Sequence, residues 1–511
     1  MSSENNKRIA KNTLLLYFRM FLTMGVSLYT SRIILNTLGV VDFGVYNVVG
    51  GVVMMFSFLN SSMSTATQRF LSFEIGKQDH AQLKKVFSMS VNIHAIIGFV
   101  IFILAETVGL WFLNAKLNIP PERMEAANWV FQFSILTFII TIIGVPYNAA
   151  IVAHERMNVY AYVSIIEVTL KLIIVFVLGW FGFDRLKLYA ILVFCLSVFV
   201  WAIYKIYCHR KFHETKYTFF WDKSLYKTLM NYASWNLFGA VAGIMSNQGI
   251  NILLNLFFGP VVNASRAIAY QVSAAVNKFV GNFVIAVNPQ IIKYYATGEN
   301  QKMMNLVFLS SKYSYYLLFV IAMPIIMETD FILTLWLNQI PEYLIIFTRL
   351  IVITALLDSL SFPLMTAAQA TGKIRKYQSV VGGMMLVNLP MSFCFLKLGF
   401  PPQSTMYIAL CISFVCLFLR LWMLKNMVGL SIIDFFKVVV FRVMMVSFLA
   451  YIIPLFLYFQ LHENILRFFI LLSTGFITSI LSIYKFGISA NERSIIKKTL
   501  KKYVLKHNYP N

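Results

Sequence analysis

The chain contains 511 residues, of which 59% are hydrophobic and only 12% are charged, and its mean hydropathy is +0.73. Since about a quarter of the residues of a soluble domain are charged, this composition excludes a folded water-soluble domain of any size. The net charge of +23 does not indicate a nucleic-acid partner, because the basic residues are spread in short groups between apolar runs. The five cysteines and seven histidines lack the spacing of metal ligands or disulfides, so no metal site is predicted.

The hydrophobic runs predict an all-α integral membrane protein. About 20 apolar residues cross the hydrocarbon core of a bilayer, and roughly 12–14 such spans would occupy this chain. The first run follows Lys7, Arg8 and Lys11 and is too long for a cleaved signal peptide, so it is predicted to be a retained span. The fourteen predicted spans are 13–36, 44–67, 87–113, 126–151, 161–182, 188–207, 229–258, 264–288, 304–327, 343–368, 378–398, 405–426, 438–459 and 465–484. Spans two, seven and eight are unusually polar.

The distribution of basic residues predicts the orientation. If the N-terminus is cytoplasmic, most loop lysines and arginines fall on the cytoplasmic side. The opposite loops then contain only Lys116, Arg123, Arg185 and Lys187. This imbalance predicts that both termini lie in the cytoplasm. The basic stretch Arg493–Lys506 is predicted to be a helix on anionic lipid.

The chain has the pattern of an internal duplication. The segment Gln68–Gly76 corresponds to Gln290–Gly298 after a shift of 222 residues, and Pro146–Tyr160 corresponds to Pro363–Tyr377 after a shift of 217. Two parallel repeats are one arrangement that transporters use, with the substrate between the halves. We therefore predict two six-helix bundles followed by two extra helices. The predicted parts are an N-terminal bundle 1–208, a cytoplasmic linker 209–228, a C-terminal bundle 229–427, two additional helices 428–486 and a basic tail 487–511.

Ionisable residues inside spans are functional candidates, because each costs several kcal/mol unless it is paired or hydrated. Span one contains Arg19 and Arg32, and span eight contains Arg266 and Lys278. The mid-span position of Lys278 favours a hydrated cavity over snorkelling to the membrane surface, whereas Arg19 is compatible with either. Arg32 and Arg266 lie near outer span ends, where snorkelling is the favoured interpretation. The same interpretation applies to three cations nearer inner span ends, Lys312, Arg420 and Arg442.

Amides follow one face of spans seven and eight. Asn247 and Asn251 share a sector of span seven, and Asn277 shares a face of span eight with Arg266. Such polar faces are disfavoured against lipid, so they are predicted to face protein or water. Two roles stay open for them at this point, which are substrate binding and hydrogen bonding between helices.

Carboxylates are scarce within the spans. Glu167 lies four residues before Lys171 in span five, and we expect the two to neutralise each other. Asp358 and Glu106 are lone carboxylates. Glu167 and Asp358 are the candidates for coupling to a proton or sodium ion, and no other cofactor is predicted.

Two stretches resemble a known family. Residues 32–39, followed by 42–46, resemble the first-helix signature of polysaccharide-biosynthesis flippases of the multidrug/oligosaccharidyl-lipid/polysaccharide superfamily. Residues 64–71, followed by Glu74 and Gly76, are similar to the end of the second helix in that family. The topology of the whole chain is also similar, including the two bundles and the two additional helices.

The resemblance implies a V-shaped pair of bundles in the bacterial cytoplasmic membrane. It implies a flippase that moves a polyprenyl-diphosphate-linked oligosaccharide, such as an O-antigen unit, to the outer leaflet by alternating access. The lipid bilayer and other polysaccharide-assembly membrane proteins are the partners it implies. Family members line the central cavity with basic residues, and Arg19, Arg32, Arg266 and Lys278 lie in suitable spans. No enzymatic reaction is expected.

Two other functions stay open. A multidrug antiporter of the same fold would need carboxylates in its cavity, for which Glu167 and Asp358 are the candidates. A membrane polysaccharide polymerase or acyltransferase would be an enzyme. It is disfavoured, because the longest predicted outer loops, 114–125 and 328–342, are short and contain no histidine.

Overall fold

The computed structural model describes residues 3–54, 57–117, 119–180, 183–337, 340–490 and 492–494. Within these ranges the regular secondary structure is helical throughout. The helices are α1 Ser3–Met54, α2 Ser57–Lys77, α3 His80–Lys116, α4 Pro121–Ala153, α5 Met157–Val177, α6 Arg185–Lys211, α7 Lys223–Phe258, α8 Pro260–Ala296, α9 Asn300–Met327, α10 Thr329–Trp336, α11 Leu344–Ala370, α12 Arg375–Lys397, α13 Ser404–Val428, α14 Ile432–Gln460 and α15 Ile465–Gly487.

The all-α membrane class is confirmed. Eleven helices in the described ranges are long and apolar enough to cross a membrane. They include α7, so the seventh span satisfies the criterion despite its amides. Spans one, two and eight lie on α1, α2 and α8, which are outside these eleven, and fourteen spans stay a prediction.

Backbone breaks recur at equivalent places in the two halves of the chain. Gly39 (φ 81°, ψ 167°) interrupts α1 between predicted spans one and two, in a conformation that only glycine adopts readily. Positive φ angles recur in three pairs of residues separated by 220, 220 and 217 positions, namely Gly39 and Gly259, Gln78 and Gly298, and Glu155 and Gly372. These separations agree with the sequence repeat and support it.

The described structure divides into two compact units. Unit 1 consists of Met1–Val241, Ile285–Met303 and Gln369–Ser379. Its apolar core is formed by side chains of α2, α3, α4 and α6, including Phe87 and Ile151. Arg123 connects the starts of two helices near the predicted outer side, because it forms ion pairs with Asp42 at 2.5 Å and with Asp184 at 2.7 Å.

Unit 2 consists of Ala242–Val284, Met304–Ala368 and Val380–Asn511. One of its apolar clusters joins α8, α9 and α11 to the last two helices through Ala450 and Leu471. The predicted domain boundaries, 1–208, 209–228, 229–427, 428–486 and 487–511, stay a prediction. The predicted lipid-bound helix of the tail lies largely outside the described residues, which end at 494.

Two cations that we expected to snorkel are buried, so those predictions are wrong. The side chain of Lys312 is 1% exposed and donates to both carboxylate oxygens of Glu492, at 3.2 and 3.1 Å. Arg420 is 2% exposed and donates to the hydroxyl of Ser361 at 3.1 Å. The partners lie 180 and 59 residues away in sequence, so helical position alone could not reveal them.

Arg467 and Glu328 provide a test of how the last helix is held in unit 2. Arg467 donates to Glu328 at 3.0 Å, and both residues are buried. We expect Arg467→Ala to destabilise the protein by about 3 kcal/mol or more, because Glu328 would become a buried unpaired charge. Thermal unfolding in detergent measures this change.

The matched control is Lys302→Met, which removes an exposed ion pair with Glu299. Exposed pairs contribute about 1 kcal/mol or less, so the unfolding temperature should hardly move. Equal effects of the two substitutions would contradict the assigned role of Arg467.

Candidate functional site

Unit 1 contains a polar cavity of about 410 Å³. The cavity is lined by α1, α2, α4, α5 and α6. Its polar lining residues are Arg19, Asn60, Ser61, Ser64, Thr141, Asn148, Tyr160, Ser164, Glu167, Ser197, Trp201 and Tyr204. The span-two polar residues Asn60 and Ser64 therefore face protein or water, as their cost against lipid predicted.

Arg19 is the cation of this cavity. Its guanidinium lies 4.3 Å from the ring centre of Tyr160, a distance typical of a cation–π contact. No hydrogen bond or ion pair of Arg19 is present in the part of the chain that the structure describes, and its Nε is buried without an acceptor. A guanidinium has five N–H donors, so Arg19 retains donors for an anionic ligand or for water.

Glu167 is the carboxylate of the same cavity. The predicted Glu167–Lys171 ion pair is wrong, since no contact within 4.0 Å joins these two side chains, both of which the structure describes. Arg19 and Glu167 do not form an ion pair either. Position four residues apart on a helix permits a pair but does not enforce it, because exposed pairs of this kind gain only a few tenths of a kcal/mol.

Unit 2 contains an arginine–amide cluster between α7 and α8. Arg266 donates to Asn247 at 2.6 Å, to Asn251, and to the hydroxyl of Tyr270 at 3.1 Å. Arg266 is only 3% exposed, so the expectation that it snorkels is wrong. The amide face of span seven and the polar face of span eight meet at this arginine, which gives Asn247 and Asn251 a helix-joining contact.

A second polar cavity, of about 140 Å³, adjoins this cluster in unit 2. Its lining includes Arg266, Asn247, Asp358, Ser413 and Arg420. The charge of Arg420 is near enough to interact with Asp358. The predicted lone carboxylate therefore has a cationic neighbour, which is a buried side chain that sequence position had assigned to the membrane surface.

The remaining predicted site residues are not brought into either cavity. Lys278 is exposed on α8, in unit 2. Asn277 donates to the hydroxyl of Ser273 at 3.1 Å, one turn earlier on the same helix. The side chain of Arg32 lies outside the described part of the structure. Glu106, the other lone carboxylate, accepts a hydrogen bond from Gln132 at 3.1 Å.

Tyr160 and Tyr270 are site residues that the sequence analysis did not select. Each places its ring 4.3 Å from an arginine, Tyr160 beside Arg19 and Tyr270 beside Arg266. Tyr270 follows Arg266 by four residues, a spacing that puts both on one helix face and could have revealed the pair. Tyr160 and Arg19 are 141 residues apart, so only the folded structure shows that contact.

Comparison with known proteins identifies the type of protein. The family model described as "Polysaccharide biosynthesis protein" matches residues 9–295, which is more than half of the chain. A curated relative, the "Uncharacterized membrane protein EpsK" of Bacillus subtilis (strain 168), is 21% identical over 294 residues. That alignment covers 56% of each protein, so the chain spans little more than half the length of this relative.

Solved structures show the fold. An outward-facing multidrug resistance MATE family transporter of the MOP superfamily aligns with a TM-score of 0.71 at 13% identity, covering 82% of this chain and 95% of its own. A MOP superfamily transporter from Pyrococcus furiosus, reported with a binding pocket of reverse polarity, gives a TM-score of 0.70 at 13% identity, covering 84% and 97%. The MATE transporter ClbM in complex with Rb⁺ gives 0.68 at 15% identity, covering 84% and 96%.

The contrast between Arg19 and Arg266 is testable by stability measurements. Arg266→Gln should destabilise the protein by roughly 1–3 kcal/mol, because buried hydrogen-bond partners lose their donor. Arg19→Gln should change stability much less, because Arg19 donates no hydrogen bond in the described structure. Thermal unfolding of both purified variants in one detergent compares them. A larger loss for Arg19→Gln would show that Arg19 is a structural residue.

Proposed function

Because the chain belongs to the polysaccharide biosynthesis protein family, we propose that it is a flippase for a polyprenyl-diphosphate-linked oligosaccharide. It is a multi-pass membrane protein of the transporter type, by family and by fold. In the proposal it resides in the bacterial cytoplasmic membrane with both termini inside. It moves its substrate to the outer leaflet by alternating access and performs no covalent chemistry.

The observation that carries this proposal is the free guanidinium of Arg19 in a polar cavity. A diphosphate presents several anionic oxygens, and guanidinium binds such oxygens through two parallel hydrogen bonds. The amide and hydroxyl groups of Asn60, Ser64 and Asn148 line the same cavity and suit the hydroxyls of a sugar. Arg19 would thus hold the charged part of the headgroup while neighbouring polar groups contact the glycan.

Lys278 and Arg32 are proposed to provide further positive charge to the headgroup. Lys278 is exposed on a helix that is too polar to meet the span criterion. Arg266 is proposed to act less directly, because Asn247, Asn251 and Tyr270 already engage its donors. The prenyl chain would stay in lipid, since the protein needs to bind only the polar headgroup. Other polysaccharide-assembly membrane proteins are proposed partners.

A multidrug antiporter is the second candidate function. The carboxylates of Glu167 and Asp358 each line a polar cavity, as binding of a cationic substrate would require. The likeness to multidrug transporters concerns the fold alone, at 13% identity. We favour the flippase, because arginine side chains line both cavities and at least match the carboxylates in number.

Coupling to a proton or sodium ion is proposed to use Asp358 or Glu167. Both carboxylates line cavities, and each has polar neighbours that could complete an oxygen-rich ion site. Glu167→Gln and Asp358→Asn should abolish the dependence of transport on the coupling gradient while preserving membrane insertion. Uptake into vesicles under an imposed proton or sodium gradient tests this. Unchanged gradient dependence in both variants would exclude these carboxylates.

The proposed substrate is tested by deleting the gene and measuring lipid-linked oligosaccharide in the cytoplasmic leaflet. We expect the intermediate to accumulate. Wild type should clear it, and Arg19→Ala and Lys278→Ala should fail although both reach the membrane. Arg32→Ala should be impaired, and Arg266→Ala should fail partly through lower stability.

Matched controls separate these effects. Lys302→Met changes an exposed cation outside both cavities and should complement fully. Normal surface glycan in the deletion strain, together with sensitivity to cationic dyes, would contradict the flippase and favour the antiporter.

A further inference from the structure

Two short segments from the second half of the chain belong to unit 1. They are Ile285–Met303, which includes the end of α8, and Gln369–Ser379, which includes the turn between α11 and α12. Both lie at predicted cytoplasmic ends of their helices. The contacts that hold these segments to the first half of the chain are unusually specific, and neither contact is needed to form the unit 1 cavity.

The first set of contacts surrounds Glu155, which we call the carboxylate latch. The Glu155 side chain is completely buried and forms ion pairs with Arg8 at 2.8 Å and Lys293 at 2.5 Å. Gln290 donates to both carboxylate oxygens, each at 2.7 Å. Asn12 donates to the Glu155 carbonyl at 3.2 Å. One carboxylate therefore joins α1, the α4–α5 turn and the end of α8.

Apolar packing beside the carboxylate latch has the same arrangement. Ala286 of α8 is completely buried against Leu16, Val152 and Met157. Unpaired ionised groups are costly in such surroundings, so Glu155 needs its cationic partners. When α8 moves away from the α4–α5 turn, it loses Lys293 and Gln290 from Glu155 together with this apolar contact.

The second set of contacts surrounds Arg69, and we call it the arginine latch. Arg69 donates to the carbonyl of Ala370 at 2.7 Å. Its guanidinium lies 4.5 Å from the ring centres of both Phe70 and Phe73. A side chain at Gly372 would meet the guanidinium at 2.8 Å, so glycine permits this close approach. The end of α2 is thereby held to the α11–α12 turn.

The two latches are reciprocal. In each, the end of the second helix of one repeat contacts the turn between the fourth and fifth helices of the other. The turns match at the backbone level, because Glu155 (φ 59°) and Gly372 (φ 75°) are separated by the repeat shift of 217 residues. Glu155 adopts a conformation that is uncommon for a residue with a side chain. Its carboxylate contacts compensate for that strain, and glycine at the equivalent position has none.

We propose that these latches are a gate that opens and closes in the transport cycle, and that Glu155 is the residue that holds it closed. Ion pairs and carbonyl hydrogen bonds can be exchanged for water when the segments separate, whereas continuous apolar packing would resist separation. The inference concerns a conformational device and does not depend on which substrate is carried.

The test measures access of a thiol reagent to the latch in the full chain. Ala286→Cys and Ala370→Cys place thiols at two completely buried positions, one in each segment. Inverted membrane vesicles expose the predicted cytoplasmic side to an impermeant maleimide, and mass spectrometry reports labelling at each cysteine. Native Cys208, also completely buried in unit 1, is the internal control.

Glu155→Gly is the main variant, because glycine removes the carboxylate and accepts the positive φ without strain. We expect it to raise the labelling rate at Ala286→Cys by about tenfold or more, since broken buried ion pairs are strongly destabilising. Glu155→Gln, which keeps the shape, should raise it less. Arg69→Gln should likewise raise labelling at Ala370→Cys. Labelling of Cys208 should not change.

The matched control is Glu492→Gln, which breaks the Lys312–Glu492 pair in unit 2 and should leave both reporter thiols protected. Unchanged labelling of Ala286→Cys in Glu155→Gly would overturn the proposal. A parallel rise at Cys208 would also overturn it, because Glu155 would then support the whole unit rather than a gate. Since no substrate is added, failure here is distinguishable from failure of the proposed flippase function.

Discussion

An ionised side chain that leaves water must be compensated by a partner, and this constraint determines much of the architecture. Glu155, Lys312 and Arg467 are all buried within the described structure, and each is compensated by an opposite charge from a distant part of the chain. Because removal of one partner from such a pair costs several kcal/mol, these contacts fix which helices pack together. Arg19 is the contrast, since its charge faces a polar cavity and is compensated only by an aromatic ring.

The fold class was predictable because it depends on local sequence. Apolar runs long enough to cross a bilayer fix the number and approximate position of the helices. The duplication was also predictable, because equivalent turns need similar residues, and Pro146 and Pro363 preserve that register. The polar faces of spans seven and eight were correctly expected to avoid lipid, and the structure joins them through Arg266.

The errors concern partners that are distant in sequence. Lys312 and Arg420 were assigned to the membrane surface from helical position, yet Glu492 and Ser361 compensate them in the interior. Glu167 was paired with the nearest cation, but it lines the same cavity as Arg19 instead. Glu155 was not selected at all. Its position in a turn suggested a solvated residue, and only the folded structure brings two cations to it.

The most direct test of the account uses purified protein in liposomes that contain a fluorescent polyprenyl-diphosphate glycan. An impermeant quencher reports the fraction of the lipid in the outer leaflet over time. The account predicts that wild type accelerates exchange between leaflets, and that Arg19→Gln slows it by about tenfold or more although the variant is equally stable. Exchange no faster than in protein-free liposomes, or equal rates for wild type and Arg19→Gln, would contradict it.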